Sequence, residues 1–348
     1  MQGVFEEYLR EKEPQKKEKG YAWHTAIGLQ AVDGLETSDY LINTAKKNIE
    51  GDITFEEANQ LIHSYYKENV KHIGNNRTEE ADKVSVRIAQ ILSENSFVFS
   101  PAQYISIHKR LFDGVYKHAG EIRDYNITKA EWVLDSDTVM YGGALDLRAT
   151  LDYDFSVEKE FSYKGLSIDE AIKHLAVFIS RLWQIHAFGE GNTRTTAVFF
   201  IKYLRTLGFD VTNDIFAENA WYFRNSLVRA NYTNLKKDVH ETTGFLELFL
   251  RNLLLGENNE LKNRYLHIRF NQKCQNGTID GTINGTINQI VVFRLLKENS
   301  KITQKQIAKK INKSERTVKR IIEELRKNGY IVREGSSRFG YWKILKEI

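Results

Sequence analysis

The stretch WQIHAFGEGNTRTTAVFF, Trp183 to Phe200, holds the residue types best suited to chemistry. His186, Glu190 and Arg194 surround two glycines at a junction between two apolar helical patterns. A loop of small residues that opens a helix presents unpaired main-chain N–H groups at the positive end of the helix dipole, where anions bind. The junction therefore predicts an anion site with a histidine beside it.

Each residue type in this junction suits one part of phosphoryl or nucleotidyl transfer. His186 could take a proton from an attacking hydroxyl, and Glu190 offers a hard oxygen ligand for Mg²⁺. Arg194, in the first turn of the second helix, is a planar double donor for phosphate. Three residues shape the loop around the phosphate: Gly189, Gly191 and Asn192. The alternative is a histidine that only caps the first helix, with glycines that only make a turn.

The segment HAFGEGNTRTTA, His186 to Ala197, resembles the Fic family motif His-Pro-Phe-x-(Asp/Glu)-Gly-Asn-Gly-Arg-x-x-Arg. The resemblance extends over residues 20–255 or so and implies an all-α Fic-type helical core with a small β-hairpin flap. It also implies transfer of AMP from Mg·ATP to a Ser, Thr or Tyr hydroxyl of a target protein. His186 would be the general base, and Glu190 would hold Mg²⁺. The resemblance assigns the nucleotide to Gly189, Glu190, Gly191, Asn192, Thr193 and Arg194.

The sequence departs from the family motif at three positions: Ala187 stands for proline, Thr193 for glycine and Ala197 for the second arginine. Thr193 adds a side chain where a phosphate approaches. The missing arginine helps to hold the γ-phosphate in the family, so ATP is expected to bind more weakly or in another orientation. Two alternatives to adenylylation stay open: a nucleotide-sensing, DNA-binding regulator with little catalysis, and transfer of another phosphate-containing group.

The segment Ile127–Tyr141 contains two short β-prone runs around an Asp-Ser-Asp turn, which predicts a hairpin. It aligns in order with the Fic flap, which docks a target segment by adding a strand to a sheet edge. Three side chains could add selectivity for the target: Lys129, Glu131 and Trp132. The alternative is a plain surface hairpin.

The N-terminal stretch LQAVDGLETSDYL, starting at Leu29, resembles a VbhA-like antitoxin segment that carries an inhibitory helix with the pattern (Ser/Thr)-x-x-x-Glu-(Gly/Asn). Asp33 and Gly34 stand for the Glu-Gly pair, and Leu29 stands where Ser or Thr is expected. The resemblance implies that Asp33 inhibits, and its carboxylate could contact Arg194. Otherwise the Asp-Gly pair is only a helix end.

Residues 289–348 carry 16 Lys or Arg and 6 Asp or Glu, a net charge of +10 that leaves −6 for the remainder. The pattern of two short helices, a turn and two β-prone runs resembles a winged helix-turn-helix domain, which is an α+β module. It predicts DNA contacts from Arg316, Lys319, Arg320 and Arg338. Further phosphate contacts are expected from Lys305, Lys309 and Lys343. A winged helix used for protein contacts is the alternative.

Composition completes the predicted organisation. The expected units are a helical, inhibitory segment 1–75, a Fic core 76–270, a linker 271–288 with a Gly-Thr-Ile-Asx repeat, and a winged helix 289–348. An ordered extension or a homodimer contact is the alternative for the repeat. The sequence has no apolar run of membrane length, no secretory signal, and a single Cys274 that excludes a disulfide framework. These features fit a bacterial-type cytoplasmic protein.

Overall fold

The computed structural model describes residues 5–9, 13–68, 76–211, 214–270, 292–293, 295–297, 299–300, 302–310, 314–327, 329–334 and 341–345. The chain divides after Asn271 into two compact units, a body and a tail. The predicted linker 271–288 and Arg338 lie outside the described residues. Within the described ranges, no helix is both long enough and apolar enough to cross a membrane.

The described part of the body is helical, as predicted. Its helices are α1 Glu6–Leu9, α2 Pro14–Gly28, α3 Asp39–Glu50, α4 Phe55–Glu68, α5 Asn76–Ser93, α6 Pro101–Phe112, α7 Leu147–Glu160, α8 Ile168–Ile185, α9 Asn192–Thr206, α10 Ile215–Glu218, α11 Ala220–Ala230 and α12 Gly244–Leu255. Helix α9 lies at the centre and packs against α5, α6 and α8. Every residue from Asn192 to Leu204 is buried, as expected for a helix that is apolar nearly all round.

Local sequence signals set the ends of the helices around the site. Ser167 and Glu170 form a reciprocal capping box at the start of α8. Helix α2 begins at Pro14, because a proline suits the first helical turn, where its missing N–H is not needed. It continues into a 3₁₀ turn, Leu29–Asp33, which ends at Gly34 in the left-handed conformation.

Helix α2 crosses close to α10 at Gly28. A Cβ atom there would lie 2.4 Å from the backbone Cα of Ala217, so only glycine allows this approach. The close crossing carries the following 3₁₀ turn inward, and this turn packs against α9 and α11. The N-terminal segment is therefore an integral part of the body.

The predicted flap hairpin is not formed as a strand pair, because β1 and β2 of the tail are the only strands in the described ranges. Its turn is present: Asp135 and Ser136 have positive φ, and Glu131 N–H donates to Asp137 O at 2.9 Å. The chain between them forms a 3₁₀ turn, Trp132–Leu134, whose local hydrogen bonds replace a strand ladder. The flap is therefore a loop with a hydrogen-bonded turn at its centre.

The tail has the helix–turn–helix–wing order that the sequence predicts. Helix α13 spans Gln304–Lys310 and α14 spans Glu315–Lys327, with Ser314 capping α14 through the N–H of Thr317. Strand β1, Ile331–Glu334, pairs antiparallel with β2, Tyr341–Ile344. The tail has its own core, formed by Val292, Phe293, Leu296, Ile302, Ile307, Ala308, Val318, Ile321, Ile322, Leu325, Ile331 and Trp342.

Candidate active site

His186 terminates α8 in a left-handed conformation, with φ 50° and ψ 55°. Its Nδ1 lies 3.3 Å from the carbonyl oxygen of Trp183, which can only accept, so Nδ1 carries the proton and Nε2 carries the lone pair. Nε2 is buried and has no hydrogen-bond partner. Burial, reinforced by the cation of Lys129, holds the pKa of His186 well below its usual range. The imidazole is thus neutral, with a free basic nitrogen.

The imidazole is enclosed in this conformation, with 2% of its residue surface exposed. The ring of Tyr141 packs on it at 4.3 Å between centroids, and the indole of Trp183 meets it edge-on at 5.3 Å. Because Tyr141 ends the flap, a hydroxyl can reach Nε2 only after the flap side of this wall moves.

Arg123 ties the histidine loop to both ends of the flap. Its Nε donates to His186 O at 2.7 Å, and its Nη2 donates to Gly142 O at 2.6 Å. Its Nη1 donates to Tyr125 O at 2.5 Å, and its main-chain N–H donates to Ala187 O at 2.9 Å. These bonds fix the backbone around His186 relative to the flap.

The loop after His186 is held by its own side chains. Asn192 closes it by accepting from the N–H of Phe188 at 3.0 Å and donating to the carbonyl of the same residue at 2.7 Å. Gly191 has φ 71°, and a Cβ atom there would lie 2.4 Å from the Phe112 ring, so this position requires glycine. The first N–H that bonds inside α9 is that of Thr195, which leaves the preceding amides at the helix start as the predicted anion cradle.

Thr193 does not obstruct the cradle with its hydroxyl. The Oγ1 atom accepts a 3.0 Å hydrogen bond from the indole Nε1 of Trp183 and is directed toward α8. The threonine that replaces the motif glycine is therefore accommodated by a neighbouring tryptophan. Ala197 is fully buried, so α9 presents a methyl group where the motif has its second arginine.

Glu190 is exposed, unlike the residues that flank it on both sides of the loop. A single exposed carboxylate fits Mg²⁺, which takes one or two carboxylates and completes its shell with phosphate oxygens and water. Within the described ranges, no three His, Cys, Asp or Glu side chains converge on a metal site. Lys129 is half-buried and interacts electrostatically with Glu190 and Asp33.

Arg194 is 1% exposed and is surrounded by acceptors from the N-terminal helices. Its Nη2 donates to Glu80 Oε1 at 2.6 Å, and its Nη1 donates to Gln30 Oε1 at 3.0 Å. Its Nε lies 2.9 Å from Asp33 Oδ2, but neither atom makes a directed hydrogen bond, so this contact is an ion pair. Burial acts to lower the pKa of Arg194, yet Asp33, Tyr116 and Glu80 together raise it. The predicted contact between Asp33 and Arg194 is present.

Two parts of the chain match the sequence models of known protein families. Residues 98–204 match the sequence model of the Fic/DOC family, and residues 287–332 match that of the winged helix-turn-helix DNA-binding family. The chain carries a Fic domain. The matched span 98–204 includes His186, the loop after it and α9 as far as Leu204, so it contains the motif.

No curated protein sequence matches the chain. Among solved structures, the chain is similar to a Fic family protein from Desulfovibrio desulfuricans G20, with a TM-score of 0.45 and 12% identity over 99% of this chain and 93% of that one.

One of the three predicted flap contacts of the Fic domain is not available to a target. Glu131 is fully buried, because both carboxylate oxygens accept from Arg224 at 2.7 and 3.0 Å and Tyr141 donates to it at 3.0 Å. It therefore anchors the flap from inside. Trp132 is 49% exposed and Lys129 is half-buried, so both remain candidates for target contacts.

The tail places its predicted DNA contacts on the surface. Arg316, Lys319 and Arg320 are exposed on α14, on the side opposite its buried apolar residues. Lys305 and Lys309 are exposed on α13. Lys343 is exposed on the wing, where it pairs with Glu334 at 2.9 Å.

Several site residues escape sequence reasoning: Gln30, Glu80, His108, Arg123, Tyr141 and Arg224. Glu80 belongs to an acidic pair in the first turns of α5, which is a common feature of exposed helix starts. The sequence pattern could have indicated that His108 is buried, since it lies on the apolar face of α6 beside Ile107 and Leu111. Arg123 and Arg224 carry no local pattern that distinguishes them from surface arginines.

Proposed function

We propose that the Fic domain transfers AMP from Mg·ATP to a Ser, Thr or Tyr hydroxyl of a target protein. The observation that carries the proposal is the buried Nε2 of His186, which bears a lone pair and has no partner. An unsatisfied buried polar atom costs free energy, so its retention calls for a reason. A proton-accepting role beside an anion cradle supplies that reason.

In the proposed reaction His186 takes the proton of the acceptor hydroxyl as its oxygen attacks the α-phosphorus. A new O–P bond forms, and the bond between the α-phosphorus and the pyrophosphate oxygen breaks. The amides at the start of α9 and Arg194 would hold the phosphate oxygens, and Glu190 would hold Mg²⁺. When bound, Mg²⁺ supplies positive charge that offsets the phosphates. The low pKa of His186 keeps it ready as a base at neutral pH.

Lys129 supports the proposal despite the missing motif arginine. Its ammonium interacts with Glu190, Asp33 and Glu131 and also lowers the pKa of His186. It is therefore close to the groups that a nucleotide would contact. A flap lysine could supply the charge that Ala197 lacks, with the γ-phosphate in a different orientation.

The described conformation corresponds to an inhibited state of this enzyme. Asp33 and Glu80 hold the guanidinium that a phosphate needs, and Tyr141 covers the base. An anion can bind Arg194 only by displacing at least one of these carboxylates, since like charges repel. This explains how an intact site and a closed conformation occur together.

ATP labelled at either phosphate tests the proposed reaction. The full chain carrying Asp33→Asn is incubated with α-³²P or γ-³²P ATP, Mg²⁺ and a bacterial extract, and labelled protein is separated on a gel. We expect label from the α-position only. Label from the γ-position only would indicate kinase-like transfer. Absence of both labels, with ATP still bound, would favour a nucleotide-sensing regulator instead.

We also propose that the tail binds double-stranded DNA through the start of α14. Three exposed cations on one face favour this, since a recognition helix presents its N-terminal residues to the major groove. For the full chain with a duplex at low salt, replacing Arg316 and Lys319 by alanine should weaken binding about 100-fold. The dependence of affinity on salt should become shallower. Arg326→Ala, at the other end of α14, is the matched control and should change affinity less than about threefold. Equal affinities for all three proteins would exclude this interface.

A further inference from the structure

His108 is a fully buried histidine outside the motif that contacts the motif loop directly. It lies near the end of α6, and its ring stacks on Phe188 with 3.7 Å between centroids and 10° between planes. The ring of Phe112 lies 4.8 Å away on the same helix. This packing fixes the plane of the imidazole beneath the loop.

Each ring nitrogen of His108 faces a backbone group with one fixed role. Nδ1 lies 2.8 Å from the N–H of Gly120, which can only donate. Nε2 lies 3.1 Å from the carbonyl oxygen of Glu190, which can only accept. The two contacts together require the neutral tautomer with the proton on Nε2. Burial lowers the pKa of His108 to about 4, in agreement with a ring that stays neutral.

The bond to the Glu190 carbonyl sets the direction of a whole peptide unit. A trans peptide is planar, and its C=O and N–H point in opposite directions. No cis peptide occurs in the described ranges. With Glu190 O held against α6, the N–H of Gly191 must point away from α6. A rotated peptide would present a carbonyl oxygen to the bound anion instead of a donor.

We infer that His108 is a positioning residue that orients the Glu190–Gly191 peptide so that its N–H serves the anion cradle. It acts through the backbone of Glu190 and touches no reacting atom. The inference rests on the proposed function for its consequence, because an oriented donor matters only if a phosphate binds there. The orientation itself can be measured without any nucleotide.

Three substitutions separate the two hydrogen bonds of His108 from its packing. His108→Gln places an amide nitrogen near the position of Nε2 and keeps a donor for Glu190 O. His108→Asn places an amide oxygen near the position of Nδ1 and keeps an acceptor for Gly120 N–H. His108→Phe keeps the stacking on Phe188 and removes both bonds.

The direct measurement is NMR on the full chain labelled with ¹³C-carbonyl Glu and ¹⁵N Gly. Carbonyl-linked amide signals then come only from the Glu-Gly pairs, at Gly51, Gly191 and Gly335. The Gly191 signal should shift in the Asn and Phe variants and stay in the Gln variant, while Gly51 and Gly335 serve as internal controls. A Gly191 signal unchanged in the Asn and Phe variants, or shifted equally in the Asn and Gln variants, would overturn the inference.

Two further measurements keep the inference testable if the variants do not fold or if no nucleotide binds. Imidazole ¹⁵N spectra of the unsubstituted ring should show the proton on Nε2 at neutral pH; a proton on Nδ1 would also overturn the inference, even if every variant failed to fold. In the Asp33→Asn background, binding of a non-hydrolysable ATP analogue with Mg²⁺ should weaken about tenfold in His108→Asn and less than about threefold in His108→Gln. Absence of nucleotide binding in all proteins would reject the proposed function and leave the peptide orientation to the NMR result.

Discussion

His186→Ala is expected to reduce transfer of AMP by about 1,000-fold, within the range that a positioned general base contributes. The reason is specific to Nε2, the only ring nitrogen of His186 free to take a proton, since Nδ1 faces the carbonyl of Trp183. The measurement is the initial rate of labelling from α-³²P ATP in the Asp33→Asn background, where the site is open enough to assay.

Folding should survive the same substitution. Alanine removes the unsatisfied Nε2, which favours the folded state, and it also removes packing contacts and the contact of Nδ1 with Trp183 O, which disfavours it. These effects on the free energy of unfolding oppose each other. We expect the thermal midpoint to change little and ATP binding to persist. His240→Ala, an exposed histidine outside the site, is the control and should label at the unsubstituted rate. A His186→Ala protein that keeps more than a tenth of the activity would remove the general-base role.

The helical fold could be predicted because the caps and the apolar spacing both depend on residues close in sequence, and both indicate the same helices. Ser38 caps α3, Gly51 ends it in the left-handed conformation, and Ser167 forms a capping box with Glu170 at the start of α8, all through residues close in sequence. Helix α7 was missing from the prediction. Its buried face, Leu147, Leu151 and Phe155, is diluted by the exposed apolar Tyr153 and Val157, so the helical period is weak.

The site could be predicted only where its residues are adjacent in sequence. His186, Glu190 and Arg194 share one junction, and the spacing alone indicates their chemistry. The groups that control them come from elsewhere: Glu80 from α5, Arg123 from the loop after α6, and Tyr141 from the flap. Tertiary packing brings these together, and no local pattern reveals it. The flap shows the same limit: its β-prone residues form a 3₁₀ turn, and the Glu131 beside this turn is buried against Arg224, which comes from α11.

Asp33 and Glu80 are expected to inhibit AMP transfer together, because both carboxylates pair with Arg194. Asp33→Asn keeps the size of the side chain and removes its charge, so it should raise AMP transfer about tenfold or more. One charge-assisted contact of ordinary strength shifts a closed–open equilibrium by about that factor. The estimate is kept low because a third of the Asp33 side chain is exposed and screened by water.

Glu80→Gln tests whether the second carboxylate on Arg194 also inhibits AMP transfer. Its carboxylate also accepts from the hydroxyl of Tyr116 at 2.6 Å, and a glutamine can keep that bond while losing the ion pair with Arg194. Alone it should raise transfer by less than Asp33→Asn, because Glu80 accepts a directed hydrogen bond that an amide oxygen can keep, whereas Asp33 contacts Arg194 only as an ion pair. The double variant should exceed either single variant, because only then is Arg194 free of both charges.

The comparison that decides is a double-mutant cycle on initial rates, with thermal unfolding in parallel. Removing partners of a buried arginine should also lower the stability of the closed body, so activation and destabilisation should rise together across the series. Glu36→Gln, an exposed carboxylate three residues from Asp33, is the matched control and should change neither. If Asp33→Asn leaves the rate unchanged while Glu80→Gln raises it, Glu80 of α5 is the inhibitory residue. The 3₁₀ turn that carries Asp33 then has only a packing role. If neither raises the rate, the ion pairs of Arg194 hold the fold and do not restrain the enzyme.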